Sequence, residues 1–141
     1  IEFFSEFSDD ILSTFSSIMD DKIYKKDEQI FKRKDESDEI YFIRKGNIKI
    51  VLPLSGGMSH HLVTITKGDF LGDMSFLDKR KRSADAISIN DSVLYVLSRN
   101  KFDEIANKHP EVAGIFFEKL AYTIANRLRV SDKELKALQE S

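Results

Sequence analysis

Cysteine and tryptophan are absent from the 141 residues, proline occurs twice and glycine six times. Without cysteine there is no disulfide framework, no zinc ribbon and no thiol nucleophile. No apolar run approaches the roughly 20 residues that a membrane-spanning helix needs. Residues 1–10 carry four acids (Glu2, Glu6, Asp9 and Asp10) and no basic segment, so they do not read as a secretory signal. An excess of positive charge is missing as well. Lysine and arginine number 22 against 24 acids, the net charge is −2 and the pI about 6.0, which argues against a dedicated nucleic-acid-binding face. What remains is a globular composition, 41% hydrophobic and 33% charged, at a length that suits one domain. A chain near this size buries roughly 68–70% of its unfolded surface. The first residue is Ile1 rather than Met, so the expectation is a fragment of a larger protein. The cysteine-free composition is compatible with an intracellular setting.

Periodicity divides residues 1–141 into three zones of a single domain. Residues 1–21 read as short helices. Ser8-Asp9-Asp10 supplies a capped acidic start, Ile11, Leu12, Phe15, Ile18 and Met19 follow at helical spacing, and Asp20-Asp21 ends the pattern. Residues 22–98 read as short strands separated by turns. These are Ile40–Ile43, Ile48–Leu52, Leu62–Thr66, Ala84–Ile89 and Val93–Leu97, with turns at Lys45-Gly46-Asn47, Ser55-Gly56-Gly57 and Lys67-Gly68-Asp69. Closely spaced strands punctuated by glycine predict an antiparallel sandwich or barrel. Residues 99–141 read as helices. Ser98 is an N-cap for Lys101–Lys108, and Pro110 opens a helix through Arg129. Its apolar seam is Val112, Ile115, Phe116, Leu120, Ile124 and Leu128, extended by Leu135 and Leu138. Ser131-Asp132-Lys133-Glu134 matches a capping box, so the helix either restarts there or runs on. No repeat and no low-complexity tract is present.

The stretch with chemical content is Gly68–Leu77 followed by Arg82-Ser83-Ala84. Gly72 allows an unusual backbone geometry and close approach of a ligand. Asp73–Leu77 has the length of one helical turn, whose first N–H groups suit an anion. Arg82 offers a permanently charged fork to the same anion, and Ser83 a hydroxyl. Asp73 is left to accept from a ligand hydroxyl. A small molecule with one phosphate charge and a ribose hydroxyl fits this set. The plain alternative makes Gly72 a tight turn and Lys79-Arg80-Lys81-Arg82 a solvated basic turn, and for most of that run it is the reading adopted. A metal-holding barrel has only His60-His61 to offer, with His109 far away in sequence. Neighbours on a strand point to opposite faces, so no metal site is expected. No nucleophile-elbow motif is present.

Gly72-Asp73-Met74-Ser75 with Arg82-Ser83-Ala84 resembles the phosphate-binding cassette of cyclic nucleotide-binding domains, the family of catabolite activators and of protein kinase A regulatory subunits. The resemblance takes in Tyr41-Phe42-Ile43 with Gly46, Leu94–Ser98 with Phe102, and Arg127–Ser131. It implies a mainly β fold, an antiparallel jelly-roll-like β-roll with N-terminal helices and a long C-terminal helix. It implies a nucleotide-binding set of Leu71, Gly72, Asp73, Met74, Ser75, Arg82, Ser83 and Ala84. In this set Arg82 pairs with the cyclic phosphate, backbone at Gly72, Met74 and Ser75 assists, and Asp73 replaces the usual glutamate at the ribose. Ser131 and Asp132 fall where the activator branch meets the base. Lys34-Asp35 replaces the usual glycine-acid turn. The implied function is a non-catalytic sensor for cAMP or cGMP that needs no cofactor. Its C-terminal helix signals to an effector in the same polypeptide, such as a transporter or enzyme. The expected setting is cytoplasmic, free or as the cytosolic part of a membrane protein. A homodimer through Leu128, Leu135 and Leu138 and no direct nucleic-acid contact complete the expectation. The alternatives are the sensor half of a catabolite-activator-type regulator and a degenerate module that serves protein interaction.

Overall fold

The computed structural model describes residues 2–140. Ile1 and Ser141, the limits of the expected single domain, lie outside the described residues. The chain forms two compact units, Ile1–Glu104 and Ile105–Ser141. The first unit holds two four-stranded antiparallel sheets. Strand β1 (Asp20–Tyr24) lies next to β8 (Ser92–Leu97), then β3 (Ile40–Lys45), then β6 (Phe70–Leu71). The second sheet has the order β2 (Gln29–Phe31), β7 (Asp85–Ser88), β4 (Asn47–Pro53), β5 (Ser59–Thr66). The strand zone thus starts at Asp20, where the sequence pattern ended a helix. Asp20 and Asp21 face solvent and pair with Val96 and Tyr95.

Burial explains the strand sequences. Phe31, Tyr41, Ile43, Ile48, Ile65, Leu71, Ala86, Leu94 and Val96 form one core. Ile40 and Phe42, the alternate residues of β3, are also fully buried. Rings of Phe3, Phe4 and Phe70 stand 5.0, 4.9 and 6.1 Å from Phe42. A strand covered on both faces reads as a continuous apolar run, and Ile40–Ile43 is such a run. Helix α1 (Asp9–Ile18) starts as expected, with Ser8 Oγ accepting from the Ile11 amide at 3.4 Å. Its Phe15 packs 5.3 Å from Phe4.

Two turns of the same construction set the site. In Lys25–Glu28 and Lys32–Asp35 the fourth residue's N–H reaches the first residue's carbonyl, at 3.0 Å in both. The fourth residue's carboxylate accepts from the first residue's N–H, at 3.0 Å from Glu28 and 2.9 Å from Asp35. A downstream aspartate receives the second residue's N–H: Asp91 from Lys26 and Asp85 from Arg33. The last two residues pair by backbone with Ser88 in one turn and with Arg82 in the other. The third residue takes positive φ, 68° at Asp27 and 75° at Lys34. Lys34 therefore keeps the left-handed conformation that glycine favours. Its reward is placement: the Lys34 N–H and Asp35 carbonyl hold the backbone of Arg82 at 2.8 and 2.9 Å.

Helix α2 (Asp73–Asp78) follows β6 directly, and helix α3 (Arg99–Lys108) follows β8. Ser98 caps α3 through the Lys101 amide at 3.3 Å. In the second unit, α4 (Pro110–Glu140) is one unbroken helix of 31 residues. The capping-box sequence at Ser131 does not restart it. Val112, Phe116 and Leu120 are buried at four-residue spacing, whereas Leu128, Leu135 and Leu138 are exposed. Among the described residues no helix is long and apolar enough to cross a membrane.

Candidate functional site

Gly72 is the hinge between β6 and α2. Its φ is +81°, and a Cβ there would meet the Glu39 carbonyl oxygen at 2.7 Å, Arg82 Nη1 at 2.9 Å and the Tyr41 ring at 3.2 Å. Backbone conformation and space both demand glycine. The Gly72 carbonyl accepts from the Phe76 amide at 3.2 Å, which starts α2, and from Arg82 Nη1 at 3.0 Å.

Arg82 is the centre of the arrangement. Its residue is only 3% exposed. Nη2 donates to the Glu39 carbonyl at 2.7 Å and to Ser37 Oγ at 3.0 Å. The guanidinium carbon stands 4.3 Å from the Phe31 ring centroid and 5.7 Å from that of Tyr41. All three hydrogen-bond acceptors are neutral oxygens, and buried Nε has no partner. Burial pulls the Arg82 pKa below its ordinary value, opposed by Tyr41 and the Glu39 charge. Burial, then the carboxylate of Glu39, pushes the Tyr41 phenol well above its ordinary value of 10.0, and Arg82 opposes this. The Tyr41 hydroxyl donates to Glu39 Oε1 at 3.4 Å.

The expected residues are placed unevenly. Leu71, Gly72, Asp73, Met74 and Ser75 run from the end of β6 into the first turn of α2, and Arg82 reaches Gly72 from ten residues on. Ser75 and Ala84 are buried, Asp73 is half-buried, and Met74 and Ser83 are exposed. Lys79, Arg80 and Lys81 are exposed, as a solvated turn requires, while the fourth member of that run is buried. Ser131 and Asp132 are exposed on α4, in the second unit. His60 and His61 are exposed on β5, and His61 Nε2 lies 3.0 Å from Thr64 Oγ1. No group of three metal-ligating side chains is assembled among the described residues.

Sequence reasoning missed Ser37, Glu39 and Phe31 as the surroundings of Arg82. The lysine-to-acid spacing shared by residues 25–28 and 32–35 was an available signal for the turn that carries Arg82. The Glu39 contribution is a backbone carbonyl, which no residue type marks.

Comparison with known proteins shows the family and the fold. The family model described as "Cyclic nucleotide-binding domain" matches residues 21–109, from β1 to the start of α4. The chain belongs to the cyclic nucleotide-binding domain family. A "Cyclic AMP receptor protein" of Thermus thermophilus is 31% identical over 117 residues, 83% of this chain and 52% of the relative. "Glutaminase 1" of Bradyrhizobium diazoefficiens is 27% identical over 131 residues, 93% of this chain and 21% of the relative. The crystal structure of the Thermus thermophilus catabolite activator protein superposes with a TM-score of 0.81 at 26% identity, over 99% of this chain and 63% of the other. The chain thus spans about half of the first relative and about a fifth of the second. The mainly β roll with flanking helices is the fold of these neighbours.

Proposed function

We propose that this chain is a non-catalytic regulatory module that binds a cyclic nucleotide, cAMP or cGMP, and passes the binding event to an attached effector. The observation that carries the reading is Arg82. A buried guanidinium is costly without a bonded counter-charge, and here its partners are three neutral oxygens and two aromatic faces, with no carboxylate bonded and Nε unsatisfied. A phosphate diester supplies a directly bonded negative charge and acceptors for the remaining N–H groups. The proposed ligand contacts are Leu71, Gly72, Asp73, Met74, Ser75, Arg82, Ser83 and Ala84. Asp73 takes the ribose hydroxyl. The similarity to a cyclic AMP receptor protein supports cAMP as one candidate. The similarity to parts of a glutaminase and of lysophospholipases supports an effector in the same polypeptide, with this segment itself doing no chemistry. A cytoplasmic setting follows from such a ligand.

Isothermal calorimetry with cAMP, cGMP and AMP tests the reading. The expected result is binding of a cyclic nucleotide and none, or much weaker binding, of AMP. A flat titration with both cyclic nucleotides at millimolar concentration would favour the interaction module with an empty site instead. We further propose that Leu128, Leu135 and Leu138, exposed on α4 at spacings of seven and three, pair with a second copy. Sedimentation should then show a dimer that Leu135→Asp abolishes, and a wild-type monomer at high concentration would refute it.

A further inference from the structure

Helix α2 has only six residues and is gripped at both ends by arginine. At its start, Arg82 Nη1 holds the Gly72 carbonyl at 3.0 Å. At its end, Arg99 Nη1 donates to the carbonyls of Phe76 at 2.7 Å and Leu77 at 3.2 Å. The last carbonyls of a helix have no partner inside it. In α2 the Lys79 amide takes that of Ser75 at 2.8 Å, and Arg99 takes the next two. The same guanidinium bonds Asp103 Oδ1 through Nε at 2.9 Å and stands 5.5 Å from the Phe76 ring centroid. Phe76 is fully buried and meets the edge of Phe102 at 5.5 Å. Arg99 is the first residue of α3, and α3 continues past Glu104, where the first unit ends.

We propose that Arg99 is a positioning residue that couples α2 to α3. A helix of six residues, about 9 Å long, moves as one piece rather than bending. The planar fork of Arg99 fixes two α2 carbonyls and one α3 carboxylate at once. Hydrogen bonds fail beyond about 3.5 Å, so a shift of α2 either drags the start of α3 with it or breaks two charge-assisted bonds. A ligand acting at the Gly72–Arg82 end would use this link. Only that use rests on the nucleotide reading above; the link itself is a property of the folded chain.

Hydrogen exchange in the ligand-free protein tests the link. Arg82→Gln releases the start of α2 and should speed amide exchange across residues 102–108 by about fivefold when Arg99 is present. In an Arg99→Gln background the same change should alter it less than about twofold. Equal acceleration in both backgrounds, or none in either, overturns the proposal. If Arg99→Gln fails to fold by circular dichroism, the comparison is made in Arg99→Lys, which must lose at least half of the acceleration. Because no ligand is present, a failure here is distinct from a failure of the nucleotide reading, which wild-type calorimetry decides. With ligand, Arg99→Gln should keep the nucleotide affinity within about threefold yet lose the ligand-induced change at residues 102–108. A ligand-induced change equal to that of wild type also overturns it.

Discussion

The two arginines that bind α2, one from the segment after it and one from the start of α3, have the same side chain and aromatic neighbours but different bonding partners. Arg99 has a carboxylate at 2.9 Å and sits at a helix C-terminus, where backbone dipoles favour a cation. Arg82 is 3% exposed, meets only neutral oxygens and keeps one donor unsatisfied. One arginine bonds a carboxylate directly, and the other bonds none, with the Glu39 charge acting on it only from a distance. The difference teaches where to look for a ligand: each arginine makes three hydrogen bonds, and the one to examine is the buried one with no carboxylate bonded to it.

Exchanging each arginine breaks the comparison most sharply. Arg82→Ala should weaken cyclic nucleotide binding by about 2–5 kcal/mol in calorimetry, whereas Arg99→Ala should leave affinity nearly unchanged. Equal losses would remove the distinction. Gly72→Ala is next. A side chain at φ +81°, with a Cβ 2.7 Å from the Glu39 oxygen, should cost about 2–4 kcal/mol in denaturant unfolding. An unchanged midpoint would mean that the Arg82 cradle is looser than described.

The phenol beneath Arg82 gives the third test. The folded pKa of Tyr41 is raised above 10.0 by burial and by Glu39. Its contribution to stability is therefore fully present below pH 10 and lost as pH rises above it, because the unfolded chain releases the proton first. The slope should be up to ~1.4 kcal/mol per pH unit, and Tyr41→Phe should remove it. A slope that survives the substitution would assign it elsewhere, with Tyr24, also raised by burial and by Glu39, the first suspect. The smallest effect belongs to the paired turns. Lys34→Gly should stabilise by about 0.5–1 kcal/mol and Asp27→Gly by less, since aspartate tolerates the left-handed region better. Thermal unfolding of the two variants decides the order.

Much of the fold was legible in the amino-acid pattern, for reasons visible in particular elements. Ile40–Ile43 and Val93–Leu97 carry enough β-branched and aromatic residues to read as strands, and Ser8 and Ser98 mark helix starts that the structure uses. Strands β2 and β6, of three and two residues, are too short to show a period, and β1 is exposed along most of its length, so its acids read as a break. Ser131-Asp132-Lys133-Glu134 carries a start signal that α4 ignores, because a helix already propagating gains a bond at each residue and needs no new nucleus.

By itself, the sequence determined an antiparallel sandwich or barrel with flanking helices and a glycine turn at Gly72, which follow from residue type and spacing. The β-roll in particular, and Arg82 as the partner of that turn, were what the resemblance to cyclic nucleotide-binding domains implied. Only the tertiary structure decided that Arg82 is buried, that its partners are the Ser37 hydroxyl and the carbonyls of Glu39 and Gly72, and that Arg99 closes the other end of α2. The reason is physical. Backbone carbonyls are present at every position, so residue identity does not reveal which of them will face a given side chain. The fold alone, by pairing Lys34 and Asp35 with Arg82 across some fifty residues, turns the last member of an ordinary basic run into a buried charge with no bonded carboxylate.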